Sequence, residues 1–220
     1  MKPTIKIDFV SDVACPWCAV GLGELQNALE QIGDRANIEL NFKPFELNPQ
    51  MPIGGQEAIE HLTQKYGLSE EQVQANQAQI RARAAEVGFQ FHPDGRKRVY
   101  NTFNCHRLLH WAEKEYGQKA QLQLKRELLN TYFCLAVNLD EQENLLNAVE
   151  RAGLDSGKAK LVLDQNIFAE EVRAAASFYS QAGISSVPSV ILNEQYLIQG
   201  AQPASAFISA LEKLIAEQEK

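Results

Sequence analysis

Alternating apolar and polar residues mark both ends of the chain, which is the pattern of β-strands that bury one face. Near the N-terminus, apolar residues occupy every second position of 4–10, so this segment predicts a first strand. The segment 38–42 alternates in the same way and predicts a second strand. Near the C-terminus, the apolar runs 189–192 and 196–199 flank a short polar turn. They predict two further strands.

Helical spacing of apolar residues fills the remainder of the chain. One helix is predicted between the first two strands, ending at Gly33, and another is opened by Pro203 after the fourth strand. The long stretch between these two regions shows no convincing strand pattern. Its predicted helices are 69–87 (with a capping box at Ser69 and Gln72), 102–116, 119–135, a helix capped by Asp140 that ends near Gly153, and 156–180.

The predicted elements indicate an α/β domain whose sequence is interrupted once by a helical segment. A strand–helix–strand unit at the start and a strand–strand–helix unit at the end each leave apolar faces that they cannot bury alone. We therefore expect one sheet domain made of 1–55 and 181–220. The stretch 56–180 is then an all-helical insertion within that domain.

The chemistry-bearing motif is Cys15-Pro16-Trp17-Cys18, which lies between the first strand and its helix. Cys15 falls at the helix N-terminus, where backbone N–H groups lack intrahelical partners and the macrodipole favours an anion. Pro16 suits the first helical position, because its missing N–H would be unused there. The amides of Trp17 and Cys18 can then point at the sulfur of Cys15. We expect the pKa of Cys15 to lie below the free value of about 8.5.

The two cysteines have different expected roles in thiol–disulfide exchange. Cys15, exposed at the mouth of the turn, is the candidate nucleophile, and Cys18, one turn further in, is the shielded resolving thiol. The same spacing also occurs in zinc knuckles, and His106 and His110 could supply two nitrogen ligands. The strand–helix context favours redox chemistry, so we expect no metal and no bound cofactor.

Composition narrows the class of partner. Hydrophobic and charged contents of 45% and 22% are those of a soluble globular protein, and the net charge of −7 argues against nucleic acid. No apolar run approaches the roughly 20 residues that span a bilayer. Because 1–3 lead directly into the first strand, no signal peptide precedes it, and a cytoplasmic location is expected. Four cysteines in a reducing compartment favour a catalytic pair over structural disulfides.

Four motifs spread over nearly the whole chain match one family together. They are Asp12-Val13-Ala14-Cys15-Pro16-Trp17-Cys18, Pro44-Phe45-Glu46-Leu47-Asn48-Pro49, Asn101-Thr102-Phe103-Asn104-Cys105-His106-Arg107-Leu108, and Val187-Pro188 with Gly200-Ala201-Gln202-Pro203. The chain thereby resembles the DsbA-like thioredoxin-fold oxidoreductases, and most closely their FrnE-type branch. The resemblance implies a thioredoxin-like fold (βαβ…ββα) with a large all-helical insertion.

The resemblance also implies dithiol–disulfide exchange at Cys15 and Cys18. The substrate that the resemblance implies is a disulfide-containing protein or a glutathione-like thiol. The bond between Val187 and Pro188 is expected to be cis and adjacent to the dithiol, leaving the backbone of Val187 open to an extended substrate strand. Pro16 and Trp17 are expected to complete the substrate contact.

Polar residues around the dithiol are assigned from the same resemblance. Oxidoreductases of this fold often hold a buried acid beneath the dithiol as a proton acceptor, and Asp8 and Asp12 are the candidates. The spacing of Asp8 to the motif is one residue longer than expected, which could turn it to the other face. Asn101, His106 and Arg107 are candidates for lining the cleft between the insertion and the sheet.

The sequence departs from the family pattern at Cys105 and Cys134, where a small residue and a polar residue are expected. Both lie among apolar residues, so we interpret them as buried, inert thiols. A secondary redox pair is the alternative interpretation.

Two other functions remain open on the sequence. The 2-hydroxychromene-2-carboxylate isomerases, which use glutathione, resemble this fold and insertion, but characteristically carry Ser where Cys15 stands. The second of these functions is that of a non-catalytic module, either zinc-bound or chaperone-like. The intact cysteine pair favours the oxidoreductase.

Overall fold

The central sheet takes its strands from both ends of the chain, in a computed structural model that describes residues 2–218. The sheet order is β2–β1–β5–β6, and a separate two-stranded ladder joins β3 and β4. In chain order the strands are β1 (Thr4–Ser11), β2 (Asn37–Pro44), β3 (Gln56–Glu57), β4 (Arg98–Val99), β5 (Ser189–Leu192) and β6 (Tyr196–Gln199).

Helices cover the sheet and form most of the stretch between β2 and β5. They are α1 (Pro16–Ile32), α2 (Ala58–Tyr66), α3 (Glu70–Glu86), α4 (Phe103–Tyr116), α5 (Gln118–Leu129), α6 (Gln142–Arg151), α7 (Ser156–Asp164), α8 (Ala169–Gln181) and α9 (Ala204–Gln218). A 3₁₀ turn (Gly33–Arg35) follows α1, and a π-helical turn (Asn130–Cys134) continues α5.

The two ends of the chain join through β1, as the apolar pattern predicts. β1 pairs in parallel with β2 and antiparallel with β5, so the βαβ and ββα units share one sheet. α1 packs against α9, and Phe9, Leu22 and Phe207 are fully buried in the same cluster. The predicted α/β class with a thioredoxin-like βαβ…ββα order and a helical insertion is confirmed.

Three details of the insertion differ from the sequence prediction. The predicted helix 156–180 is two helices, because the connection between α7 and α8 places Asn166 and Phe168 at φ angles of 54° and 63°. Asp140 does not cap α6; its Oδ2 accepts the Gly54 amide at 2.6 Å instead. Helix α2 and the ladder of β3 with β4 were not predicted; each of these two strands has only two residues, too few to show an alternation. The capping box of Ser69 with Gln72 is present at the start of α3.

The insertion is attached to the sheet by a side chain that pairs with an edge strand. Gln121 of α5 accepts the Phe42 amide at 2.9 Å, and its Nε2 donates to the Phe42 carbonyl at 3.2 Å. The amide of Gln121 thus occupies backbone groups of β2 that a further strand would otherwise pair with. One buried cluster runs from Phe9 through Leu108 and Leu124, so the sheet and the insertion share a core.

Helix α1 contains a glycine that allows a close approach between elements. A Cβ added to Gly23 would lie 2.5 Å from the Val87 Cβ and 2.9 Å from its carbonyl oxygen. The absence of a side chain therefore lets the end of α3 rest directly on α1, the helix that carries the dithiol.

We expect Gly23→Ala to lower the free energy of unfolding. Alanine gains about 1 kcal/mol in helix propensity over glycine, but forced overpacking costs about 1–3 kcal/mol. The contact with the Val87 backbone cannot be relieved by a rotamer change, so the loss should exceed the gain. Chemical denaturation measures the difference.

Gly157→Ala in α7 is the matched control. Gly157 is exposed, and its added Cβ would meet only the Asp155 carboxylate oxygen, at 3.1 Å. Its stability should be unchanged or slightly raised. A Gly23→Ala protein as stable as this control would contradict the close-packing argument.

Candidate active site

The dithiol sits at the N-terminus of α1, where the motif places it. Cys15 is the N-cap residue, with φ −94° and ψ 113°, and Pro16 is the first helical residue. The Cys18 amide donates to the Cys15 carbonyl at 3.0 Å, and the Cys15 amide donates to the Asp12 carbonyl at 3.2 Å. Cys15 is only 5% exposed and Cys18 is fully buried. The expectation of an exposed Cys15 is therefore wrong, because neighbouring residues enclose the sulfur.

The two thiols have opposed pKa shifts. A hydrogen bond from the Cys18 thiol is the main cause that lowers the pKa of Cys15, and the backbone N–H groups of Cys18 and Trp17 add to it. Burial and the charge of Asp12 act against this lowering. Burial is the main cause that raises the pKa of Cys18 well above its usual value, and Cys15 adds to it. Cys15 is thus the thiol that ionises first.

The loop before β5 lies directly against the dithiol. The bond between Val187 and Pro188 is cis, and the Cys15 thiol donates to the Val187 carbonyl at a sulfur–oxygen distance of 3.5 Å. Pro188 is buried against α1, where a Cβ on Gly21 would lie 3.0 Å from its Cγ. Val187 and Trp17 stay partly exposed beside the sulfur. The four expected substrate-contact residues therefore lie together.

Asp12 is fully buried and joins three separate segments beneath the dithiol. Its Oδ1 accepts the Ala14 amide at 3.1 Å and the Thr102 hydroxyl at 2.6 Å, while Oδ2 accepts the Leu47 amide at 2.7 Å. The His106 Nε2 lies 3.5 Å from Oδ1. Despite burial, these partners, with His106 first, hold the pKa of Asp12 below its usual value. A carboxylate so fully engaged is a poor proton acceptor.

Asp8 does not join the site. It shares the strand face of Val10, whose buried neighbours include Tyr179, while Phe9 faces the large cluster around the dithiol. The Tyr179 hydroxyl donates to Asp8 at 3.3 Å, and the Lys43 ammonium lies 3.6 Å from it. The extra residue in its spacing has turned Asp8 to the opposite face of the sheet, so it is not a proton acceptor beneath the dithiol.

The three candidate cleft residues divide into two groups. Asn101 donates to the Pro49 carbonyl at 3.2 Å, and His106 lies against Asp12, so both border the site. Arg107 is buried elsewhere: its guanidinium donates to the carbonyl of Ile167 at 3.0 Å and to that of Val162. Arg107 therefore ties α4 to the connection after α7, and its assignment to the cleft is wrong.

The two additional cysteines lie in apolar surroundings, and all four cysteines are free thiols. Cys105 is 1% exposed, and burial raises its pKa to about 12. Cys134 is half-buried in the π-helical turn, and burial raises its pKa as well. Neither thiol has the lowered pKa of a nucleophile.

Sequence reasoning missed two polar residues that the fold brings to the site. Thr102 holds Asp12, and Lys125 of α5 is fully buried near Cys18. A signal for Lys125 existed in the sequence, because it occupies the same helical stripe as Gln121, Leu124 and Leu128, all of which are buried. A lysine on an otherwise buried helical stripe predicts a buried amine.

The described residues form neither a metal-binding cluster nor a membrane-spanning helix. Within 2–218, no group of three or more His, Cys, Asp or Glu side chains is placed to hold a metal ion. Nor does that part of the chain contain a helix long and apolar enough to cross a bilayer.

A dithiol at a helix N-terminus, beside a cis-proline loop in a βαβ…ββα sheet, places the protein in the thioredoxin-fold oxidoreductase class. The family model of the DSBA-like thioredoxin domain matches residues 6–212. The chain belongs to this family, whose members are disulfide oxidoreductases.

Individual relatives agree with the family assignment. A probable DsbA oxidoreductase from Streptomyces coelicolor is 33% identical, with a TM-score of 0.88 over 97% of this chain and 91% of its own. The protein YwbO of Bacillus subtilis is 24% identical over 99% of this chain and 98% of its own. A 2-hydroxychromene-2-carboxylate isomerase has a TM-score of 0.72 at 15% identity, covering 97% and 98% of the two chains. At that identity, the last comparison shows a shared fold alone.

We expect Asp12→Asn to lower the pKa of Cys15 further, since the negative charge of Asp12 opposes ionisation of the thiol. The same change should cost about 1–3 kcal/mol of stability, because an amide cannot accept from every donor that the carboxylate satisfies. The pH dependence of alkylation of Cys15 measures the first effect, and chemical denaturation the second.

The stability difference should shrink in acid. A lowered pKa means that ionised Asp12 stabilises the fold above its unfolded value of about 3.9, and that this stabilisation disappears as the pH falls through the folded pKa. Asp8→Asn, on the other face, is the matched control and should leave the pKa of Cys15 unchanged. An equal shift in both variants would contradict the placement of Asp12.

Proposed function

We propose that this protein is a thiol–disulfide oxidoreductase in which Cys15 attacks and Cys18 resolves. The observation that carries the proposal is the opposed pKa shift of the two thiols at the N-terminus of α1. A thiolate forms most readily at Cys15, which lies beside the Val187 carbonyl. Cys18 lies deeper and stays protonated until the second step, in which it resolves the mixed disulfide.

The proposed reaction has two exchange steps. The Cys15 thiolate attacks one sulfur of a substrate disulfide, forming a mixed disulfide and releasing the other sulfur as a thiolate. The Cys18 sulfur then attacks Cys15, forming the Cys15–Cys18 disulfide and releasing the second substrate thiolate. Two electrons pass from the dithiol to the substrate. The reverse sequence oxidises a substrate dithiol.

The substrate of the proposed enzyme is a disulfide-containing protein or a glutathione-like small thiol. The partly exposed Val187 and Trp17 lie where an extended chain would meet the sulfur of Cys15. Isomerase activity, the FrnE-type branch and a cytoplasmic location belong to the same proposal and rest on the sequence motifs. The reduction potential of the Cys15–Cys18 pair, measured against glutathione, tests whether the pair reduces or oxidises in that compartment.

The glutathione-dependent isomerase is the weaker alternative. The chain shares the fold of a 2-hydroxychromene-2-carboxylate isomerase, but the protein carries its own paired thiols where that chemistry depends on an external one. Repeated reduction of a disulfide by the protein, with dithiothreitol as the electron source and no added glutathione, would separate the two functions.

We expect Cys15→Ser to reduce disulfide exchange to the uncatalysed background, because the nucleophile is lost. Cys18→Ser should instead accumulate a mixed disulfide at Cys15, because attack still occurs and resolution does not. Intact-mass spectrometry after reaction with oxidised glutathione measures both outcomes. Faster alkylation of Cys18 than of Cys15 in the reduced protein would reverse the assigned roles.

Cys105→Ala and Cys134→Ala should keep exchange rates within a few-fold of the unmodified protein. Burial raises the pKa of both thiols, so neither supplies a thiolate at neutral pH. An insulin-reduction assay compares the two variants with Cys15→Ser as the inactive control. Loss of most activity in either alanine variant would show that a second thiol takes part in turnover.

A further inference from the structure

Lys125 buries an amine that its surroundings leave without a partner. The side chain is fully buried, and among residues 2–218 its Nζ has no hydrogen-bond acceptor. The ring centroid of Phe42 lies 5.9 Å from Nζ. An unpartnered buried ammonium is very costly, and such groups shed their proton instead. Burial accordingly lowers the pKa of Lys125.

The amine faces a small cavity between the sheet and the insertion. The cavity has a volume of about 10 Å³, which holds roughly one water molecule. Lys125 and His106 both line it, and the His106 ring lies against the Asp12 carboxylate, with Nε2 3.5 Å from Oδ1. Lys43 and His110, which are partly exposed, line the same cavity. The cavity thus extends from Lys125 towards the protein surface.

The groups around Lys125 include the resolving thiol. Cys18 of α1 is the largest influence that favours the charged form of Lys125, followed by Asp12, Cys105 and Cys15. Reciprocally, Lys125 lowers the pKa of Cys18. The cationic Lys43 and the imidazoles of His106 and His110 face the cavity from β2 and α4. Lys125 is therefore the amine within electrostatic reach of the deeper sulfur.

Cys18 needs a proton acceptor when it attacks. Its raised pKa keeps it protonated at neutral pH, and a thiol is not a nucleophile until the proton leaves. The carboxylate of Asp12 is occupied by donors from three segments, and Asp8 lies on the other face of the sheet. The unpartnered amine of Lys125, whose pKa burial lowers, is the group left to accept the proton.

We propose that Lys125 accepts the proton of Cys18 during resolution and exchanges it with solvent through the cavity that it shares with His106. As the Cys18 sulfur attacks Cys15, its proton moves to the Lys125 amine. The Cys15–Cys18 bond forms, the bond from Cys15 to the substrate breaks, and the electron pair leaves on the substrate thiolate, which is protonated by solvent. In the reverse direction, the ammonium returns the proton to Cys18.

The test separates the two exchange steps, and it rests on the function proposed above. The reduced protein is mixed with a slight excess of 5,5′-dithiobis(2-nitrobenzoate) in a stopped-flow spectrometer. The first coloured thiolate reports attack by Cys15, and the second reports resolution by Cys18. We expect Lys125→Met to slow the second phase on the order of 100-fold at neutral pH and to change the first phase far less. The two proteins should converge at high pH, where Cys18 ionises unaided.

Lys125→Arg distinguishes a proton acceptor from a fixed positive charge. Arginine keeps the charge and cannot be deprotonated in proteins, so its second phase should be as slow as that of Lys125→Met. Recovery of the normal rate in Lys125→Arg would overturn the proposal. Lys119→Met, an exposed lysine on the same helix, is the matched control and should leave both phases unchanged.

A measurement that leaves Lys125 in place covers the case in which these variants fail to fold. In the Cys18→Ser mixed disulfide, nitrogen-15 NMR of the lysine side chains should show one neutral amine at neutral pH, and a spectrum of ammonium groups alone would overturn the proposal.

Failure of the proposed function would be recognised separately, in the stopped-flow experiment. If the unmodified protein shows no second phase, Cys18 does not resolve; a fast second phase that Lys125→Met leaves unchanged refutes only the role of Lys125.

Discussion

The buried carboxylate of Asp12 is the interaction on which the site depends. A charge removed from water is stable only when its lone pairs are matched by donors, and those donors come from the dithiol turn, the loop after β2 and the start of α4. Each donor fixes one segment relative to the others. The same charge opposes ionisation of Cys15, so the arrangement that positions the thiol also limits how acidic it becomes.

The sequence predicts the elements whose causes are local. Pro16 at the first helical position and the paired strands of the C-terminal unit follow from backbone preferences and apolar period, and both are present. The break between α7 and α8 was missed because Asn166 and Phe168 adopt positive φ angles there. The connection contains no glycine or proline that would have indicated a break. Such conformations are imposed by tertiary packing and leave no local pattern.

Residues of the site were predictable only where a motif contains them. The cysteines were singled out by their own spacing, and Val187 with Pro188 by the family resemblance; the structure brings the Val187 carbonyl to Cys15. Asp8 and Asp12 could not be ranked, since a single residue of spacing decides which face of β1 an acid occupies. Lys125 belongs to a helix far along the chain, and only the assembled core brings it within electrostatic reach of Cys18.

The pairing of Gln121 with the backbone of Phe42 has a consequence for self-association. An open strand edge recruits strands from other molecules and so seeds aggregates. In the described structure, α5 closes the β2 edge, which leaves β6 as the outer strand on the opposite side. Loosening α5 would therefore expose unpaired backbone groups at the β2 edge. The helix that carries Lys125 is thus also the helix that keeps this edge from pairing with another molecule.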